Sequence, residues 1–161
     1  MPVPELTQFL STLAFVVVLA FVFAKVEIQI EGDAGWAANL PTWRVEEHWL
    51  LTIFWGGRAM TGYHAWVMSF IVLVFHLPAL IAWQWSLQLE ARILASLMVF
   101  WIVEDLLWFI LNPAFGLKRF RAAHVPWHKH WVLGAPVDYW VFTALSCLLF
   151  GYSYGGWAWR F

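Results

Sequence analysis

Apolar residues gather into four long runs, near residues 7–25, 64–84, 90–111 and 138–158. Each run is long enough to cross a hydrocarbon core of about 30 Å as an α-helix. The expected fold is an all-α integral membrane protein, a single domain over residues 1–161 with four transmembrane helices. The first run sits where a signal peptide would, but its leading segment MPVPELTQ carries Glu5 and no Lys or Arg. No clean small-x-small cleavage site follows, so it reads as a span.

The pattern changes in the two long connections, residues 26–63 and 112–137. In KVEIQIEGDAGW, Val26, Ile28 and Ile30 alternate with Glu27, Gln29 and Glu31. That is a strand-like alternation, with a continuation of the first helix equally allowed over so short a stretch. TWRVEEHWLLTIFW has Thr42 as N-cap and ends at Gly56-Gly57; Arg44, Glu47, His48 and Thr52 form a polar stripe at helical spacing. It predicts an amphipathic helix lying on the membrane. After Asn112-Pro113 stops the third run, Pro126 opens a second short interfacial helix near 126–133, closed by Gly134 and Pro136.

Composition and charge agree with a membrane setting. Hydrophobic residues make up 63% of the chain and charged residues 12%, a balance outside that of soluble domains. A net charge of −1 leaves no basic surplus for nucleic acid. Lys25, Arg44, Arg58, Lys118, Arg119, Arg121 and Lys129 fall on the side of the long connections, against Arg92 and Arg160 opposite. The positive-inside bias therefore makes the connections cytoplasmic, in a plasma or inner membrane with both termini outside. Many of the fourteen tryptophans, among them Trp43, Trp49, Trp55, Trp66, Trp83, Trp85, Trp127, Trp131, Trp157 and Trp159, are expected in interfacial belts. Cys147 has no intrachain disulfide partner and reads as a packing residue.

Glu104-Asp105 interrupts the third run. A central carboxylate costs roughly 2.5–3.5 kcal/mol in lipid, so the pair calls for partners. Lys25 and His64 are the candidates. Five of the six histidines, His48, His64, His124, His128 and His130, lie on the same side as the acids. Imidazole and carboxylate together suit a divalent metal such as Zn, Fe or Mn. A helical 126–133 would turn His128 and His130 about 200° apart, so the expected ligands are Glu104, His124 and His128, completed by His48. Asp105 and His64 would move protons, while Arg119 and Arg121 would grip the substrate headgroup. His64 and His76 suit haem only if a second copy supplies opposing ligands, and haem ranks behind a metal.

The function these residues lead one to expect is a metal-dependent membrane enzyme, hydrolytic or oxidative, acting on a lipid-soluble substrate at the cytoplasmic interface. The competing reading is a non-catalytic small subunit of a larger complex, haem- or pigment-bearing. Proton-linked transport by an oligomer ranks third. Membrane lipids and further copies of the chain are the expected partners. The bland alternative is that the acid pair and the interfacial histidines serve packing and headgroup contacts.

Overall fold

The structure is a computed structural model that describes residues 3–154. Its order is α1 (Val3–Glu31), β1 (Arg44–Val45), α2 (Trp49–Phe54), β2 (Met60–Thr61), α3 (Gly62–Ala82), α4 (Leu87–Leu111), α5 (Gly116–Arg119), β3 (Trp131–Val132), β4 (Ala135–Pro136) and α6 (Val137–Tyr154). Three helices are long and apolar enough to cross a membrane: Glu5–Glu31 within α1, α3 and α4. The run expected as a fourth span, 138–158, is helical as α6 over Val137–Tyr154, and its last part, 155–158, lies outside the described residues.

Helix α4 is the centre, packed along its length on α1 and α6 and only locally on α3. Small residues on α1 allow the close approach: Val16, Ala20 and Ala24 are fully buried, and they meet Ile93, Leu97, Phe100, Trp108 and Phe109 of α4 in two adjoining clusters. Without a hydrophobic drive between helices in lipid, such packing is what holds them together. On the other side Ala95 receives Phe150 and Tyr154 of α6. The outward faces are apolar, with Phe15, Val18 and Val22 on α1 and Trp66, Phe70, Leu73 and Leu77 on α3 all exposed.

Of the two readings open for the first connection's start, the helical one holds, and the two interfacial helices depart from expectation. KVEIQIE is helical: α1 runs unbroken to Glu31 and closes on Gly32 at φ +67°. Helix packing thus overrides the alternation, and Glu27, Ile28 and Glu31 prolong the buried stripe begun by Val16, Ala20 and Ala24. The first interfacial helix shrinks to α2, capped by the His48 side chain rather than by Thr42. Thr42 instead accepts a bond from the Tyr63 N–H (3.0 Å), and Arg44–Val45 pairs antiparallel with Met60–Thr61. The second interfacial helix is absent. Trp131–Val132 and Ala135–Pro136 form a hairpin whose turn, Leu133 and Gly134, has φ +51° and +81°. Two positive φ values in a two-residue turn match the right-handed twist of a hairpin and cannot be accommodated in a helix.

Candidate functional site

All four long helices bring polar residues to one end of the bundle. Glu27 and Glu31 come from the last turns of α1, Tyr63 and His64 from the first turn of α3, Glu104 and Asp105 from α4, Asp138 and Tyr139 from α6. Arg58 and His128 descend from the connections. Successive residues on a helix point about 100° apart, so Glu104 and Asp105 enter different networks.

Asp105 faces α6 and the second connection. Its Oδ2 accepts from Tyr139 O–H and from His128 Nε2–H (3.0 Å). Arg58 Nη2 donates to His128 Nδ1 (2.9 Å), which makes that nitrogen the acceptor and places the imidazole proton on Nε2. Arg58 is also paired with Asp138 and lies 5.2 Å over the Trp36 ring. Burial pulls its guanidinium below the ordinary value, and the charge of Asp105 opposes that pull. Among the described residues nothing donates to Asp105 Oδ1, and 24% of the side-chain surface stays open.

Glu104 faces α1. Only 3% of the residue is exposed, and its Oε1 meets no N–H or O–H donor among the described residues. Its neighbour is the Glu27 carboxyl, likewise buried and likewise on the cavity. Tyr63 O–H donates to Glu27 Oε1 (3.0 Å). Beyond them, Glu31 Oε1 accepts from the Ala37 N–H and lies 3.7 Å from His64 Nε2. His64 Nδ1 bonds Thr61 Oγ1 at 2.7 Å, and its ring stacks on Trp36 at 4.0 Å. Trp36 and Ala37 both adopt positive φ without being glycine. Arg44 holds that turn through bonds to both carbonyls, so a strained segment is fixed over the site.

The five acids with Arg58, His64, His128 and Tyr139 line a cavity of about 500 Å³, within the range of small-molecule pockets. The cavity continues from the polar end along an apolar stem of Met68, Val72, Leu94, Met98, Ile102 and Phe142. Leu94 and Asp105 stand about 16 Å apart along α4 at 1.5 Å per residue. Val72, Leu94 and Val141 line the cavity and are exposed. The stem therefore opens sideways, where a membrane would be.

The residues expected from the sequence divide. Glu104, Asp105, His64 and His128 come together on the cavity. His124 and His48 do not: both are exposed, and His48 is occupied as the α2 cap. No group of three or more His, Cys, Asp or Glu arranged to hold a metal occurs among the described residues. Arg119 and Arg121 are exposed, Arg119 donating to the Ala114 carbonyl (2.7 Å); the cavity's guanidinium is Arg58. Lys25 is exposed as well, leaving Glu27, His128 and Tyr139 as the partners of the acid pair. His76 bonds Glu90 (3.3 Å) at the opposite end. Trp55 and Trp127, expected in a belt, line the cavity, whereas Trp66, Trp83 and Trp85 do face outward. Cys147 is exposed rather than packed; Trp157 and Trp159 lie outside the described residues.

Sequence reasoning passed over Glu27, Glu31, Arg58, Asp138 and Tyr139 as site residues. The i, i+4 spacing of Glu27 and Glu31 was a usable signal once the segment is taken as helix. Fold and site together define an α-helical, membrane-embedded protein with an enclosed acid–base cluster at the head of a laterally open cavity. No family model, curated protein or solved structure matches the chain.

Proposed function

We propose that the chain is an integral membrane enzyme, with α6 as its fourth crossing, that takes a lipid-soluble substrate from the bilayer and moves protons on it. The observation that carries this reading is Asp105. One of its oxygens is held by two donors while the other meets none among the described residues, at the junction of a polar cluster and an apolar stem. A carboxylate held this way is a general base of fixed orientation. The Glu27–Glu104 pair, two buried carboxyls on the same cavity, is the matching acid in this reading; neighbouring carboxyls in contrasting environments divide these roles. His128, Tyr139 and Arg58 are positioning residues that act through Asp105. His64 fixes the strained turn above the cavity. The charge bias of the connections supports a cytoplasmic position for this end of the bundle.

Acid–base chemistry takes the place of the expected metal centre, because two of its four ligands stand outside the cavity. Among the described residues no serine, threonine or cysteine lines the cavity, and its one hydroxyl, Tyr139, is committed to Asp105. The test compares membranes of a host producing the wild-type chain, Asp105→Asn or the stem-blocking Met98→Trp, with neutral lipids profiled by mass spectrometry. The wild type is expected to generate at least one lipid-soluble product, lowered about 10²- to 10⁴-fold by Asp105→Asn and abolished by Met98→Trp. Indistinguishable extracts from three folded proteins would overturn the proposal.

A further inference from the structure

Charge restricts what the cavity can receive. Glu27, Glu31, Glu104, Asp105 and Asp138 line it against Arg58 and Lys129, and Arg58 is already committed to Asp138 and His128. An anionic headgroup would be repelled, and the reacting region of the substrate must be uncharged or transiently cationic. The walls favour the second condition. Trp101 and Trp108 stand one turn before and one turn after the Glu104–Asp105 pair, and Trp55 and Trp127 complete the same end. Indole faces attract cations, most strongly where water is excluded.

Resting on the proposed acid–base reading, we infer that the substrate is an uncharged polyene lipid of the isoprenoid type and that the reaction is a proton-initiated isomerisation or cyclisation. A proton from the Glu27–Glu104 pair adds to one carbon of a C=C bond. The π electrons form the new C–H bond, and the adjacent carbon becomes cationic among the indole faces. A second double bond of the same molecule either closes a ring onto that carbon or does not. In both cases a neighbouring C–H gives its proton to the Asp105 carboxylate, and its electron pair forms the new C=C bond. Product and substrate are isomers, so no oxidant, reductant or co-reactant is consumed. Asp105 releases its proton to water and the acid pair regains one from water between turnovers. Solvent hydrogen therefore enters carbon, which provides the readout.

The stem suits such a molecule, since it offers apolar and thioether contacts over a length of about 16 Å and few polar groups to desolvate. The arrangement of tryptophans one turn to either side of an acid–base pair has no use in holding a saturated chain, which would be served equally by leucine.

The experiment uses the full chain in phosphatidylcholine nanodiscs in D2O. Squalene and geranylgeraniol are the polyene probes, squalane the saturated control and sphingosine the cationic control. Tryptophan quenching reports entry, and mass spectrometry reports deuterium bound to carbon. Quenching by the polyenes with deuterium uptake is expected, uptake falling about 100-fold or more in Glu104→Gln and Asp105→Asn while quenching persists. Squalane should take up none. Polyenes that quench without gaining deuterium would overturn the inference and leave the lipid-soluble substrate standing. No quenching by any apolar probe would overturn both. Preferential binding of sphingosine would overturn the uncharged substrate class.

Discussion

Gly35 sits under the roof of the cavity with φ +67°, and a Cβ built there would stand 2.7 Å from Trp127 Cη2, 3.0 Å from Trp127 Cζ2 and 3.1 Å from Trp108 Cη2. Carbon atoms rest about 3.5–4.0 Å apart, so Gly35→Ala requires the Trp127 indole to retreat by about 1 Å. It has little room, being stacked on Phe109 at 7° and packed against Phe115 and Trp108. Two costs combine. A left-handed conformation for alanine costs roughly 1–2 kcal/mol, and overpacking typically about 1–3 kcal/mol, giving about 2–5 kcal/mol. Gly32 supplies the internal control: it has the same φ of +67°, but nothing lies within 4 Å of an added Cβ. Gly32→Ala should therefore lose only the conformational part, about 1–2 kcal/mol. Denaturant unfolding in mild detergent, followed by near-ultraviolet circular dichroism of the tryptophans, measures both. Equal loss in the two variants would refute the claim that Gly35 exists to admit the Trp127–Trp108 roof.

Asn112 ties the end of α4 to the end of α1, donating to the Gly32 carbonyl (2.8 Å) and accepting from the Ala114 N–H (3.0 Å). Asn112→Ala should cost about 1–3 kcal/mol for the buried groups it orphans, read by the same unfolding assay. Ala20→Leu inserts bulk into the fully buried α1–α4 seam and should cost about 1–3 kcal/mol; a neutral result would mean the two helices do not meet there. Tyr139→Phe removes one donor to Asp105, a bond to a charged group worth about 1.5–3 kcal/mol. It should lower kcat about 10- to 100-fold with KM unchanged. A change in KM alone would make Tyr139 a substrate contact instead.

Much of the framework was legible in the chain, because long apolar runs carry their meaning locally. The runs at 64–84 and 90–111 coincide with α3 and α4 within a few residues, and the acid pair Glu104-Asp105 lies on the cavity. Its partners were harder to read, since they come from segments distant in sequence. Arg58 lies between Gly56-Gly57 and β2, where sequence treats it only as a charge near the membrane; tertiary folding places it against Asp138 and His128. His124 and His128 share a short segment, yet a turn with the His124 N–H bonded to the Arg121 carbonyl (2.9 Å) leaves the first exposed and buries the second. The segment EIQIE left strand and helix open for a definable reason. Alternation and helical spacing coincide over five residues, and only packing on α4 selects between them. Leu133-Gly134 held a hairpin signal that Pro126 and Pro136 concealed by framing the segment as a helix.

The most direct test of the central claim is to ask what occupies the cavity of the native protein. Protein purified in mild detergent would be extracted with organic solvent and the extract quantified by mass spectrometry, with Met98→Trp treated in parallel. The account predicts about one neutral lipid-soluble molecule per wild-type chain, absent from Met98→Trp, because the added indole fills the stem that opens to the bilayer. The same molecule in equal amount from both proteins, or none from the wild type, would contradict a cavity built to take its substrate from the membrane.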